Sequence, residues 1–193
     1  RGLGDVYKRQ MHDIYEPLDP PYRQPLPITG PGNRVGTPYI PCDPEKIVAI
    51  VPCDITDKTR PLAAIDDDAK AMSQHLIEFF QNEIKHDRLP KNLLPLQSGV
   101  GSVANAVISG LAQGPFTNLS IFTEVIQDGM FDLIDAGKVE VCSGTALSPS
   151  PDGLKRFYDN VDLYSKKIIL RPQELSNLSL IHISEPTRPE RIS

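Results

Sequence analysis

The chain has 193 residues and a formal net charge of −5 at pH 7, with 23% charged residues. Because it is acidic and has no basic cluster, neither nucleic acid nor an anionic membrane is expected as a partner. No apolar run approaches the ~20 residues of a membrane-spanning helix. Cys42, Cys53 and Cys142 lie far apart, without the spacing of metal ligands. They predict free thiols in a reducing compartment, the cytoplasm or the mitochondrial matrix, and no bound metal.

The two ends of the chain differ from the rest. Residues 1–10 (RGLGDVYKRQ) and 178–193 (LSLIHISEPTRPERIS) resemble translated sequencing-adapter DNA, since one adapter encodes both in opposite orientations. A basic arm and an amphiphilic tail are the alternative. Segments of adapter origin are excluded from fold reasoning. The stretch 11–177 is then expected to be an internal piece of a longer protein. Its net charge is −7, because the ends hold five basic and three acidic residues.

The first part of this stretch, 11–44, is rich in proline but carries many apolar side chains. Proline fixes φ and removes a backbone donor, which excludes a helix or a central strand. We therefore predict an ordered, extended loop that lies over a sheet, in which the His12-Asp13 pair has a structural role. The β-branched run Ile47–Val51 follows and predicts a strand buried on both faces.

Asp66, Asp67 and Asp68 open a predicted helix that runs to about His86. Carboxylates in the first turn of a helix suit its dipole and its free N–H groups. A metal site is the alternative interpretation of the triple aspartate. The apolar stripe predicted for this helix contains Ala69, Met72, Leu76, Phe79 or Phe80, and Ile84.

The remaining elements alternate between helices and strands. In chain order they are a helix at Ser102–Gln113, a strand at Leu119–Thr123, a helix at Asp128–Ala136, a short strand at Val139–Val141, a turn at Ser148–Gly153, a helix at Leu154–Tyr164 and a strand at Lys167–Leu170. Alternation of this kind predicts βαβ units. The fold class is therefore α/β, with open, mostly parallel sheets and flanking helices.

A glycine turn and a carboxylate at a strand end form the most informative constellation. The turn 99–104 (GVGSVA) leads into the helix Ser102–Gln113, and Glu124 follows the strand Leu119–Thr123. In open α/β sheets, ligands bind beyond the carboxyl ends of strands, beside helix N-termini that offer free N–H groups. We expect the two features to meet at one crevice.

Three hypotheses explain this constellation. The G-x-G-x-x-A pattern with a later acidic residue is a dinucleotide fingerprint, in which Glu124 binds a ribose. The run before the turn, Leu93–Leu96, contains Pro95, which counts against that hypothesis. Alternatively, Glu124 attacks a thioester carbonyl while backbone N–H groups of the turn stabilise the oxyanion or hold coenzyme A phosphates. A purely structural tight turn is the third hypothesis.

Several long segments are shared with one known family. They are HDIYEPLDPPYRQPLPITG, RVGTPYI, RLPKNLLPLQSGVGSVANAV, FTEVIQDGM and KIILRPQELSN. Through them, essentially all of 11–177 closely resembles the acetyl-CoA hydrolase / succinyl-CoA:acetate CoA-transferase family. The resemblance implies the CoA-transferase type of α/β fold, with two similar domains and the active site between them.

The resemblance also implies roles for particular residues. Glu124 is the implied nucleophile, which cycles through a glutamyl-CoA thioester. Val100 is implied to donate an oxyanion-hole N–H, and Asn177 is implied to lie close to the catalytic glutamate. An arginine of bacterial members aligns with Lys58, and Arg60 lies two residues later. The implied coenzyme A-binding turn consists of Gly99, Val100, Gly101, Ser102 and Val103.

The same resemblance sets expectations for the whole protein. Residues 11–60 would end the first domain and form its covering loop, and 61–177 would begin the second domain with Glu124. A further glycine loop of the family lies beyond Asn177, so this chain alone is expected to be inactive. The full-length protein is expected to be a homodimer that acts on acyl-CoA and small carboxylates. A coenzyme A thioester is its substrate, no cofactor is permanently bound, and transfer and hydrolysis both stay open.

Overall fold

The computed structural model describes residues 11–18, 22, 24–55, 59 and 61–178. Its helices are α1 (Asp67–Lys85), α2 (Ser102–Gln113), α3 (Asp128–Asp135), α4 (Pro151–Asp159) and α5 (Val161–Lys167). Its strands are β1 (Leu119–Phe122), β2 (Val125–Ile126), β3 (Val139–Gly144), β4 (Ala146–Leu147) and β5 (Ile168–Leu170). A 3-10 turn at Pro44–Lys46 and a π-helical turn at Glu174–Leu178 complete the regular structure.

The strands form two parallel sheets, so the predicted α/β class is confirmed. The larger sheet has the order β1-β3-β5, and the smaller one pairs β2 with β4. Leu96 adds a parallel bridge to Ile121 at the outer edge of β1. Since β1, β3 and β5 pair in parallel, their carboxyl ends lie at the same edge of the sheet.

Local chemistry accounts for the start of α1 and for the ends of α2 and α3. The Asp66 carboxylate accepts a hydrogen bond of 2.7 Å from the Ala69 amide and so caps α1, which supports capping for the triple aspartate. Gly114 follows α2, as predicted. Gly137, after α3, has a φ of +67°, the left-handed conformation that favours glycine just past a helix.

The core is formed by the strands of the larger sheet together with helices α2 to α5. Phe131 of α3 packs on Phe157 of α4 and on Tyr164 of α5, with ring centroids 5.9 and 4.8 Å apart. The Tyr164 hydroxyl donates to Asp135 over 2.9 Å. Burial, together with that carboxylate, raises the pKa of Tyr164 to about 12, so its hydroxyl stays a neutral donor.

The proline-rich segment covers one end of the sheet, as predicted, in the part nearest to Met11. Met11 is fully buried in the core. The Asp13 amide donates to the Leu170 carbonyl over 2.8 Å, and Ile14 and Thr37 form an antiparallel bridge. The loop is therefore attached to β5 and closed on itself.

A buried ion pair between Asp13 and Arg171 fixes this attachment. The Asp13 carboxylate also accepts from the amides of Val35 (2.9 Å) and Gly36 (2.7 Å). The Arg171 guanidinium donates in addition to the Ser143 hydroxyl over 2.8 Å and to the carbonyls of Pro31 and Asn33. Burial lowers the pKa of Arg171, and the Asp13 carboxylate opposes that shift.

The strand predicted at Ile47–Val51 is wrong. These residues have no regular secondary structure, and Val48 is 98% exposed. A β-branched run shows that a segment can form a buried strand, but a strand also needs a neighbour that satisfies its backbone groups. No strand among the described residues pairs with this run.

The apolar stripe predicted for α1 is wrong in part. Ala69 is buried and Phe80 and Ile84 are half-buried, but Met72, Leu76 and Phe79 are exposed. The buried face instead runs through Ser73 and Ile77. The Ser73 hydroxyl donates to the Ala106 carbonyl of α2 over 2.8 Å. A small residue lets the two helices approach closely, which a stripe defined only by apolar residues does not reveal.

The turn predicted at Ser148–Gly153 is also wrong in part, because α4 begins within it. Ser150 caps α4 by accepting from the Gly153 amide over 3.1 Å. Pro151 occupies the first helical turn, where a missing N–H costs nothing. The helix predicted to run on to Tyr164 is interrupted at Asn160, which ends α4 and begins α5.

The three cysteines are free thiols, as predicted. Cys42 and Cys53 are exposed and Cys142 is buried. Burial raises the pKa of the Cys142 thiol to about 12.

Within the described part of the chain, no helix combines the length and apolar character that a bilayer-spanning segment requires.

The Asp13→Asn variant tests the buried ion pair. Asparagine keeps an oxygen for the two loop amides but leaves Arg171 as a buried charge without its counter-ion. We expect the free energy of unfolding of the 193-residue chain, measured by urea denaturation, to fall by about 3 kcal/mol. Asp67→Asn removes the exposed Asp67–Lys70 pair (2.9 Å) and one carboxylate of the first turn of α1, and should cost less than about 1 kcal/mol. Equal stability of both variants would contradict this role.

Candidate active site

The three turns that follow β1, β3 and β5 lie side by side at the carboxyl edge of the larger sheet. Thr123 and Glu124 follow β1, Thr145 follows β3, and Arg171 follows β5. The Thr123 amide donates to the Ser143 carbonyl and the Arg171 amide to the Gly144 carbonyl, over 2.9 and 2.8 Å. The strand pairing thus extends into the turns, which places Glu124 at the edge where α/β proteins bind ligands.

The backbone and the side chain of Glu124 are both held by neighbouring turns. Its carbonyl accepts from the amides of Thr145 (2.8 Å) and Ala146 (3.1 Å). Its carboxylate oxygen Oε1 accepts from Nε2 of Gln173 over 3.3 Å. The side chain is half-buried. A half-buried carboxylate at a sheet edge remains accessible to a reactant while its backbone is fixed.

Thr123 joins the glycine turn to the residue before Glu124. Its side chain is fully buried, and its hydroxyl donates to the Ser98 carbonyl over 2.8 Å. The Ser98 amide donates back to that hydroxyl over 3.4 Å. Leu96 adds two backbone bonds to β1, because its amide donates to the Ser120 carbonyl (2.8 Å) and its carbonyl accepts from Phe122 (2.9 Å). The glycine turn is thereby attached alongside β1, the strand that Glu124 follows.

The glycine turn opens directly onto the N-terminus of α2. Gly101 precedes the first helical residue and has a φ of +138°, which side chains rarely allow. No side chain caps this helix, so its first N–H groups face the turn. Val100 is 68% exposed. A helix N-terminus with uncapped N–H groups suits a phosphate or a developing oxyanion.

Two cavities flank these features. One has a volume of about 530 Å³ and is lined by residues 97–104 and Val107, and therefore by the whole glycine turn. The other has a volume of about 510 Å³ and is lined in part by Thr145, Arg171 and Gln173, which contact Glu124 or its neighbours. Their size is that of ordinary ligand pockets.

The structure places the other predicted site residues unequally. Gly99, Ser102 and Val103 line the same cavity as Val100 and Gly101. The backbone of Asn177 lies in the π-helical turn that follows Gln173, and its side chain is outside the described part of the chain. Lys58, Arg60, residues 1–10 and residues 179–193 lie outside the described residues as well.

Sequence reasoning missed three residues that build this edge. Thr123 attaches the glycine turn, Arg171 anchors the covering loop, and Gln173 contacts Glu124. A signal for Arg171 exists, because a charged residue directly after a β-branched strand marks the carboxyl edge of the sheet. The partners of Thr123 and Gln173 depend on tertiary pairing and leave no mark in the local pattern.

The local geometry disfavours the dinucleotide hypothesis. That fingerprint requires a strand immediately before the glycine turn. Here Leu93 and Leu94 have φ values of +64° and +65°, and in the run Leu93–Leu96 only Leu96 pairs with β1. No strand forms between α1 and α2 beyond this single bridge, so the strand–turn–helix unit of the fingerprint is absent from residues 93–113.

Comparison with curated proteins identifies relatives. The chain is 53% identical over 167 residues to a succinyl-CoA:acetate CoA-transferase from Clostridium kluyveri, a match that covers 86% of this chain and 31% of that protein. It is 48% identical to an acetyl-CoA hydrolase from Yarrowia lipolytica and 50% identical to one from Neurospora crassa, with 86% of this chain and 32% of each relative covered. The resemblance found in the sequence is therefore confirmed. The chain spans about a third of the length of these relatives.

Solved structures give a weaker likeness. RipA from Yersinia pestis matches with a TM-score of 0.47 and 20% identity, over 61% of this chain and 26% of that chain. A RipA variant matches with a TM-score of 0.48 and 22% identity, over 64% and 26% of the respective chains. No family model matches the chain.

Two single-methyl variants test the conformation of the glycine turn. Gly101→Ala forces a side chain into a φ of +138°, which should cost about 1–3 kcal/mol of the free energy of unfolding. Gly99→Ala is the matched control, because its added Cβ meets no atom within 4 Å and needs no positive φ. Urea denaturation of the two variants measures the difference. If both lose the same stability, the turn does not have the conformation described.

Proposed function

From the similarity to CoA-transferases and acetyl-CoA hydrolases, we propose that residues 11–177 are the part of a longer enzyme that carries its nucleophile. The enzyme moves coenzyme A from an acyl-CoA, such as acetyl-CoA or succinyl-CoA, to a carboxylate such as acetate, or releases it to water. Glu124 is the nucleophile. The observation that carries this proposal is the attachment of the glycine turn, through Thr123 and Ser98, beside the strand that Glu124 follows.

The reaction begins with the carboxylate of Glu124. One oxygen attacks the carbonyl carbon of the acyl-CoA, and the thiolate of coenzyme A leaves, so that a glutamyl-acyl anhydride forms. The thiolate then attacks the glutamyl carbonyl and releases the free carboxylate product. Glu124 is left as a glutamyl-CoA thioester. An acceptor carboxylate reverses these steps to take the coenzyme A, whereas water releases it and restores Glu124.

Each attack creates a tetrahedral oxyanion that needs a donor. We assign this role to the backbone N–H of Val100, which lies in the turn before the uncapped N-terminus of α2. Donors fixed before the reaction cost no reorganisation when charge develops, and loss of one such donor typically slows a reaction by about 10²–10³. The cavity lined by residues 97–104 is proposed to receive coenzyme A.

The rest of the site is proposed to lie outside this chain. The chain spans about a third of its relatives, and Asn177 is proposed to act close to Glu124. The 193-residue chain by itself is therefore proposed to lack turnover, and no permanently bound cofactor takes part. Kinetic tests accordingly use the longer protein that contains 11–177.

Glu124→Gln in that longer protein tests the nucleophile. A neutral amide does not attack a thioester, so kcat should fall on the order of 10³-fold or more, whereas acyl-CoA binding is largely kept. Steady-state assay with acetyl-CoA and succinate, or with succinyl-CoA and acetate, measures kcat. Equilibrium binding of a non-reactive acyl-CoA analogue measures affinity. Glu140→Gln, at an exposed position of β3, is the matched control and should keep full activity. Full activity in Glu124→Gln would overturn the proposal.

A further inference from the structure

The side-chain amide of Gln173 reaches the carboxylate of Glu124 from the far side of the sheet. Glu124 follows β1 and Gln173 follows β5, and β3 lies between these two strands. The contact joins Nε2 to Oε1 over 3.3 Å, at the long end of the range for a hydrogen bond. Contacts of this kind in an unliganded site often shorten when substrate binds.

The backbone on both sides of Gln173 is anchored although the residue itself is exposed. Arg171 is buried, bonds Gly144 through its amide over 2.8 Å and forms the ion pair with Asp13. Pro172 has a fixed φ, and its carbonyl accepts from the amide of the buried Leu175 over 3.1 Å. The amide of Gln173 is therefore aimed by its backbone and not by packing of its own side chain.

We infer that Gln173 is a positioning residue for Glu124, an inference that rests on the proposed function. By donating to Oε1, it restricts the rotation of the carboxylate and so sets the direction from which the nucleophile meets the thioester. An amide suits this task because it donates without carrying a charge. A lysine or arginine in its place would form a charge-assisted bond and reduce the reactivity of the nucleophile.

A matched pair of variants in the longer protein tests this role. Gln173→Leu removes the donor and keeps the size of the side chain, and kcat should fall about tenfold with KM for acetyl-CoA unchanged. Gln173→Glu sets a second carboxylate against Glu124, and kcat should fall about 10²-fold. Gln74→Leu removes a comparable bond, from Nε2 of Gln74 to Glu78 over 3.0 Å on the exposed face of α1. This variant should leave both kcat and KM unchanged.

The contact itself is measured without turnover. In ¹⁵N-labelled 193-residue chain, Gln173→Leu identifies the Gln173 side-chain amide signals, and Glu124→Gln should shift them. Signals that do not move would overturn the inference. So would a wild-type kcat in Gln173→Leu while Glu124→Gln is inactive. Full activity in Glu124→Gln would instead overturn the proposed function, and with it the role of Gln173, so the two failures are distinguished.

Discussion

The buried ion pair between Asp13 and Arg171 joins parts of the chain that are 158 positions apart. Both side chains are fully buried, and the partners of Arg171 include the Ser143 hydroxyl and two loop carbonyls. A buried charge is tolerated only when it is paired and its donors are satisfied. The pair therefore fixes the covering loop on the sheet and fixes the turn after β5.

That turn connects the ion pair with the site. Two residues beyond Arg171, Gln173 contacts the carboxylate of Glu124. On the other side of Glu124, Thr123 attaches the glycine turn through Ser98. The nucleophile of the proposed reaction thus lies between two anchored turns. This arrangement restricts the position of the carboxylate.

The sequence predicted the α/β class, the bounds of α2 and the placement of Glu124 after β1, because these follow from local periodicity, capping and strand order. It failed at Ile47–Val51, where a strand pattern meets no partner strand among the described residues. It also failed in part for α1, where Ser73 faces α2 and Met72 and Phe79 face solvent. These outcomes depend on which surfaces are available for packing, and local sequence does not encode that.

In the site, too, local features were predicted and tertiary contacts were not. The glycine turn and Glu124 were predicted from residue type and position, but the contacts that hold them were not. Thr123, Arg171 and Gln173 act through partners 25, 158 and 49 positions away. Pairings at such separations are set by the topology of the sheet. The resemblance also assigns roles that the local sequence pattern does not indicate. One of these, the position of the Asn177 side chain close to Glu124, stays a prediction.

The most direct test of the central claim is the chemical identity of the intermediate on Glu124. The longer protein is incubated with acetyl-CoA and then treated with borohydride, which reduces a glutamyl thioester to an alcohol. A glutamyl-CoA intermediate on Glu124 predicts loss of activity and, by mass spectrometry, a reduced glutamate in the peptide that contains Thr123-Glu124-Val125. Protein treated with borohydride alone is the control and should stay unmodified. An unmodified Glu124 in an inactivated sample, or a modified residue elsewhere, would contradict the account.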